Sequence, residues 1–155
     1  MKRIIYFIVA ATVITSCKRK LSPTENLIDK FKPMIQGVWN NKEEMEEMAR
    51  SKRVPERDTT QHYVSVMNIE TEKINGDSIT IGVGFNSGEG ADLVFKFQAA
   101  PRPALVCGDR YELRYNVRNQ DTVLYLYSKE RDSIKATEFV KILQKFPRFD
   151  GVRDN

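Results

Sequence analysis

The sequence predicts a mainly β protein, an antiparallel up-and-down barrel of seven or eight strands with a short helix after the first strand. First, apolar and polar residues alternate over several segments, as in strands that bury one face. Second, short turns separate these segments, so neighbouring strands are antiparallel, and a twisted sheet of this many strands tends to close. Third, 155 residues with 41% hydrophobic and 30% charged residues fit one globular domain.

The N-terminus has the pattern of a secretory signal peptide. Lys2 and Arg3 precede an uncharged stretch from Ile4 to Ser16, which ends at Cys17. A transmembrane helix needs about 20 apolar residues, whereas a signal peptide combines a basic start, a shorter apolar core and small residues at its end. Residues 1–16 are therefore predicted to be a signal peptide that is removed from the mature chain.

The end of this segment, Ile14-Thr15-Ser16-Cys17, resembles the lipobox of bacterial lipoproteins. The resemblance implies that Cys17 carries diacylglycerol on its thiol and a further acyl chain such as palmitate on its new amine, with no other cofactor. Several acyl chains anchor a protein to a membrane far more firmly than one. Lys18, in place of the aspartate linked to inner-membrane retention, favours an outer-membrane location facing the periplasm. An ordinary signal with a chance cysteine, or a buried N-terminal strand, is the alternative.

Charge and cysteine content exclude several classes of protein. The net charge is +4, but Lys2 and Arg3 leave with the signal peptide, and the remaining basic residues are interleaved with acidic ones. Nucleic-acid binding is therefore not expected. Lipidation of Cys17 would leave Cys107 without a disulfide partner, as a small buried hydrophobe or an unpaired thiol. Two cysteines and one histidine exclude most zinc sites.

Residues 17–33 are predicted to form a polar tether between the anchor and the barrel. Lys18, Arg19 and Lys20 follow the lipidated cysteine directly, where they would attract anionic lipid head groups or remain merely solvated. Leu27, Ile28 and Phe31 have the spacing of one helical face and could form a short helix across one end of the domain.

The barrel itself is assigned to residues 34–146 and a C-terminal tail to residues 147–155. Its first strand is the apolar segment from Met34 to Trp39. A helix follows over 42–52, with Asn41 as its cap, and its four glutamates fall mostly on the solvent side, which is favoured over a metal site. Residues 50–60 are predicted to form a charged, mobile loop, because they contain Pro55 and show no apolar period. The alternating segments that follow predict strands around Ile79–Phe85, Leu93–Phe97, Tyr111–Val117, Val123–Tyr127 and Thr137–Ile142.

Ile35-Gln36-Gly37-Val38-Trp39 resembles the Gly-x-Trp opening strand of lipocalin-like β-barrels, and the segment 121–143 resembles the last hairpin of small bacterial lipocalin-like lipoproteins. In that family the tryptophan packs at the closed end of the barrel under a basic side chain from the end of the sheet. The resemblance implies this role for Trp39, with Lys141 as the nearest basic candidate.

A barrel of eight strands either is filled by its own side chains or holds one small apolar ligand. The aromatic residues expected to line such a cavity are Trp39, Phe85, Phe95, Phe97, Tyr115 and Tyr125. The same residues would equally make a solid core. Glu138 shares a face with Ile134, Ala136 and Val140, and an outward orientation is favoured because a buried carboxylate needs a partner.

No catalytic residues are predicted, because His62 is the only histidine and no nucleophile motif is present. Two hypotheses for function follow. In the first, the protein is a membrane-anchored envelope lipoprotein that binds a small hydrophobic molecule inside the barrel. In the second, it is a solid-core adaptor or inhibitor that binds another envelope protein through the acidic helix and the 50–60 loop.

Overall fold

A computed structural model describes residues 21–52, 62–130 and 133–141 of the chain. The elements in chain order are α1 Pro23–Ile35, β1 Gly37–Asn41, α2 Lys42–Ser51, β2 Val64–Asn75, β3 Ser78–Phe85, β4 Gly90–Gln98, β5 Ala104–Cys107, β6 Tyr111–Arg118, β7 Asp121–Glu130 and β8 Ser133–Lys141.

The strands form a closed barrel in which each strand pairs with its neighbours in sequence order and β1 pairs with β8. All of these pairings are antiparallel, and Trp39 of β1 lies opposite Met67 of β2 and Lys141 of β8. The predicted fold class is confirmed, including the short helix after the first strand, and the architecture is consistent with a lipocalin-like barrel.

The barrel has two unlike ends. One end carries Gly37 of β1, Gln98 of β4 and Lys141 of β8, and α1 lies across it, so it is called the closed end. The other end carries Asn41 of β1, Phe85 of β3 and the start of β6 at Tyr111, and it is called the open end.

Helix α1 begins with a capping box, since Ser22 Oγ accepts a hydrogen bond from the Glu25 N–H and the Glu25 carboxylate accepts one from the Ser22 N–H. Its buried residues are Leu27, Ile28, Phe31 and Ile35. The expectation of a short helix across one end of the domain is confirmed, and its apolar face belongs to the barrel core. The predicted tether 17–33 therefore includes most of a structural helix.

The start of the first strand differs from the sequence prediction. Met34 and Ile35, which were expected to open a strand running from Met34 to Trp39, are the last residues of α1, and β1 begins at Gly37. Apolar spacing alone could not place this boundary, because Phe31, Met34 and Ile35 have the spacing of one helical face and Ile35 also precedes an apolar strand.

The outer face of β3 contains Gly82 and Gly84, which the alternation had placed opposite the buried stripe. A Cβ atom on Gly84 would lie 2.6 Å from Val66 Cγ1, so the missing side chain makes room for a valine from β2. The pairing of β2 with β3 also shifts register between Val64 and Val66. The glycine therefore accommodates an irregular strand pairing, as glycines in strand interiors often do.

Candidate functional site

The predicted lipid attachment at Cys17 and the basic residues Lys18, Arg19 and Lys20 lie outside the described residues. The described chain begins at Leu21, which is 39% exposed, one residue before the capping residue of α1. None of the described helices is long and apolar enough to cross a membrane.

The interior of the barrel is packed with apolar side chains. Trp39, Phe95, Leu105, Leu113, Leu124 and Phe139 are each 0% exposed, so no water-sized space adjoins these side chains. Phe97 is 5% exposed. Three of the six expected cavity residues, Trp39, Phe95 and Phe97, therefore contribute to a filled core.

Helix α1 completes this filling at the closed end. The Phe31 ring meets the Tyr115 ring edge-on with centroids 4.8 Å apart, and the Phe97 ring with centroids 6.0 Å apart. Phe31 itself is 1% exposed. Aromatic pairs in this geometry are stabilised beyond their buried area. The space that two of the predicted ligand contacts, Phe97 and Tyr115, would border is thus occupied by a side chain of the protein.

The remaining expected cavity residues lie elsewhere. Phe85 is half-buried at the open end, where the exposed ring of His62 stacks on it with centroids 4.3 Å apart and an interplanar angle of 17°. Tyr125 lies on the outer face of β7, between the inward Leu124 and Leu126, so the expectation that it faces the interior is corrected. The register pairs Tyr125 with Glu138, which forms its salt bridge with α2 outside the barrel.

Trp39 is held from two sides at the closed end. Its indole N–H donates a 2.6 Å hydrogen bond to the carbonyl oxygen of Ile35, which ties β1 to the end of α1. Lys141 Nζ lies 5.8 Å from the Trp39 ring centroid, within range of a cation–π interaction. The arrangement expected from the lipocalin-like resemblance, a tryptophan beneath a basic side chain, is thus present with Lys141 as the basic residue.

Gly37 explains why the Gly-x-Trp spacing suits this arrangement. Its φ is +126°, a conformation that residues with a side chain rarely adopt, and a Cβ atom at this position would lie 2.7 Å from Lys141 Cε. The lysine chain therefore passes directly over Gly37 on its way to Trp39.

Glu138 lies on the outer face, as favoured from its position in the sequence, and binds the first residue of α2. Lys42 Nζ donates to Glu138 Oε1 at 3.0 Å. This hydrogen bond, together with the attraction between the opposite charges, raises the pKa of Lys42 above its ordinary value. The salt bridge places the N-terminus of α2 against β8. Because both side chains remain solvated, the pair orients α2 and adds little to stability.

Helix α2 carries most of the acidic residues near this contact. Its N-cap is Asn41, whose Oδ1 accepts a 3.0 Å hydrogen bond from the Glu43 N–H, as the sequence predicted. Glu44 is bound to Ser65 of β2 through a 2.8 Å hydrogen bond. No residue of α2 is fully buried, and Glu46 and Glu47 are exposed. The helix therefore contacts the barrel without burying an apolar face, and it presents negative charge to solvent.

A cleft of about 470 Å³ lies between α2 and β8 near the open end. Both acidic and basic groups border it, and the acidic residues are Glu43, Glu44, Glu46, Glu47 and Glu138. The basic ones are Lys42, which is paired with Glu138, and Lys135, whose Nζ lies 5.4 Å from the ring centroid of Tyr63. The cleft therefore has an acidic wall along α2.

Among the described residues, further clefts lie on the outer face of β2, β3 and β4, at the closed end between the end of α1 and the turn joining β6 to β7, and at the open end beside His62. Neither these clefts nor the one beside α2 is lined by Phe85, Phe95, Phe97 or Tyr115. Within the described ranges, no group of three or more histidine, cysteine or acidic side chains is placed to hold a metal ion. Cys107 is half-buried without a disulfide, and burial raises the pKa of its thiol above the ordinary value.

Comparison with known proteins gives no further guide to function, because no family model, curated protein or solved structure matches the chain. The site must therefore be judged on its geometry. Sequence reasoning missed β5 and the use of Phe31 as a filler of the barrel. The spacing of Phe31 from Leu27 and Ile28 predicted a helical face, but nothing in the sequence indicated that the Phe31 ring packs against Phe97 and Tyr115 at the end of the barrel.

Proposed function

We propose that the protein is a lipid-anchored, non-catalytic adaptor or inhibitor of the cell envelope, which binds another envelope protein through its outer surface. The observation that carries the proposal is the filled interior, since Phe31 occupies the space beside Phe97 and Tyr115. To hold a small hydrophobic molecule in this space, the protein would have to move α1 away from the closed end. That movement would expose apolar side chains to water and lose the free energy of their burial, namely those of Leu27, Ile28, Phe31 and Ile35.

The position of α1 supports an orientation for this adaptor. Ser22 follows Cys17 by five residues, a distance of at most about 18 Å in an extended chain, so a lipidated Cys17 would hold the start of α1 close to the membrane surface. The open end would then face away from the membrane. The acidic wall along α2 fits this orientation, because anionic lipids repel acidic side chains. The proposed location is the periplasmic face of the outer membrane.

Anchoring is tested by the substitution Cys17→Ser. We expect this variant to lose its acyl chains and to move from the membrane fraction to the soluble fraction of the envelope, since the cysteine sulfur would carry the diacylglycerol. Mass spectrometry of the N-terminal peptide and membrane fractionation measure the two effects. Cys107→Ser is the matched control and should stay in the membrane. Unchanged fractionation of Cys17→Ser would contradict the proposed anchor.

Partner binding is tested by cross-linking in intact cells followed by pulldown of the full-length protein. We expect one dominant cross-linked envelope protein. Reversing two exposed charges of the acidic wall, Glu46→Lys with Glu47→Lys, should reduce its recovery, because a partner that fits this wall presents basic groups. Glu72→Lys with Asp121→Lys changes the net charge equally at the closed end and should leave recovery unchanged. Equal recovery of the partner with the unaltered protein and both double variants would contradict binding through the acidic wall. The absence of any dominant partner would contradict the proposed function.

A further inference from the structure

The wall of the barrel is incomplete beside β4. This strand pairs with β3 from Gly90 to Lys96, but on its other side β5 pairs with Lys96, Phe97 and Gln98 alone. The shortness of β5, which ends at Cys107, leaves the second side of the segment Gly90–Val94 without a paired strand among the described residues. This segment is called the β4 edge.

The backbone groups of the β4 edge point in known directions. The Phe97 N–H donates to the carbonyl oxygen of Asp77, on the side of β3. Because these directions alternate along a strand, the N–H and C=O groups of Gly90, Asp92 and Val94 point away from β3. The Val94 N–H accordingly faces the Cys107 thiol of the next strand and lowers its pKa, against the larger effect of burial, which raises it. The groups of Gly90 and Asp92 have no such neighbour in the described chain.

The β4 edge is also accessible. Gly90, Ala91 and Asp92 are exposed, and Val94 is 56% exposed. An exposed strand edge is a template for pairing with another extended chain, which is how several peptide-binding domains hold their ligands.

The charges around the β4 edge indicate what would bind. Asp92 lies within it, and the exposed residues nearby are acidic Glu89, just before β4, and Asp109, in the turn after β5, together with basic Lys96, further along β4, and Arg110, next to Asp109. Pairing of two copies centred on this segment would set Asp92 opposite the same residue of the second copy, and like charges facing each other destabilise a sheet. Asp92, the one charged residue within the β4 edge, therefore disfavours self-association and favours a strand with a basic side chain opposite it.

We propose that the β4 edge binds an extended, basic segment of a partner protein as an additional strand. The backbone groups of Gly90 and Asp92 would hold the segment, and Asp92 would pair with a lysine or arginine on it. This inference deepens the proposed adaptor function and rests on it, because it gives the form and charge of the partner's binding segment. The α2 wall and the β4 edge lie on opposite sides of the barrel, so one can be altered without the other.

The test uses the full-length protein and an acetylated peptide of alternating valine and lysine as the probe, with a valine–glutamate peptide as its control. The lysine peptide should slow hydrogen exchange of the Gly90 and Asp92 amides several-fold and slow alkylation of Cys107, which adjoins Val94. The glutamate peptide should do neither. Protection that spreads over the barrel, or none at these amides, would overturn the proposal. Protection that rises with protein concentration in the absence of peptide would assign the edge to a second copy and also overturn it.

Two variants separate this inference from the adaptor function. Asp92→Pro removes an N–H that points away from β3, so the β3 ladder is kept while the added strand loses a donor. Asp92→Lys keeps the backbone and reverses the charge, so it remains informative if the proline variant does not fold. Both should lose peptide protection and recover less of the cross-linked partner. A partner recovered equally well with both variants refutes the β4 edge alone, whereas no partner with the unaltered protein refutes the adaptor function.

Discussion

The substitution Phe31→Ala is expected to lower the free energy of unfolding by about 3–5 kcal/mol. The ring is 1% exposed and contacts Phe97 and Tyr115, so its removal loses apolar burial and leaves a cavity where α1 enters the barrel. Urea denaturation, followed by circular dichroism in the far ultraviolet, measures the change.

The neighbouring substitution Lys32→Ala is the control for helix propensity and charge. Lys32 is exposed on the same helix, so its replacement should change stability by less than about 0.5 kcal/mol. The loss in the free energy of unfolding for Phe31→Leu should lie between the losses for Phe31→Ala and Lys32→Ala, because leucine is apolar but makes no aromatic contacts. A loss below about 1 kcal/mol for Phe31→Ala would show that α1 is not part of the folded core.

The second large effect is expected from Gly37→Ala. The backbone at this position has a φ of +126°, and holding a residue with a side chain there costs about 1–3 kcal/mol. The added Cβ would also lie 2.7 Å from Lys141 Cε, so the lysine must move off the Trp39 ring. Denaturant unfolding and the emission of Trp39 report the two consequences.

Two further variants separate the contribution of backbone strain from that of the clash with Lys141. Gly108 has a φ of 54°, in the left-handed region that residues with a side chain can adopt, and no atom lies within 4 Å of an added Cβ, so Gly108→Ala gives a lower bound on the backbone strain at Gly37 in the absence of a clash. Combining Gly37→Ala with Lys141→Ala removes the clash, and a double-mutant cycle with the single variants gives the coupling between the two residues. Additive effects would contradict the close approach of Lys141 to Gly37.

The sequence was sufficient to predict most strands, the helix after β1 and the closed topology, because the two-residue period of Ile79–Phe85 and Tyr111–Val117 requires one buried face. It could not show whether the barrel is hollow. The same aromatic side chains fill a core or line a cavity, and the outcome depends on Phe31, which is far from Phe97 and Tyr115 in the chain.

Tyr125 shows a second reason why the sequence alone did not predict which residues face the interior. Both faces of β7 carry apolar or aromatic side chains, with Val123 7% exposed on the outside and Leu124 0% exposed on the inside. The alternation of polar and apolar residues that identifies the inner face elsewhere is therefore weak in this strand. The orientation of Tyr125 could be determined only from the register of β7 with β8. The β4 edge likewise depended on the length of β5, which the sequence did not reveal.

Titration of the full-length protein with a hydrophobic dye and with fatty acids tests whether the interior of the barrel is filled, as the proposed binding through the outer surface requires. Trp39, the chain's one tryptophan, is 0% exposed within the barrel and reports on its interior. We expect unchanged Trp39 emission in the unaltered protein and a change in emission in Phe31→Ala, whose cavity would admit small apolar molecules. Saturable quenching of the unaltered protein, with one ligand retained in native mass spectrometry, would contradict this expectation.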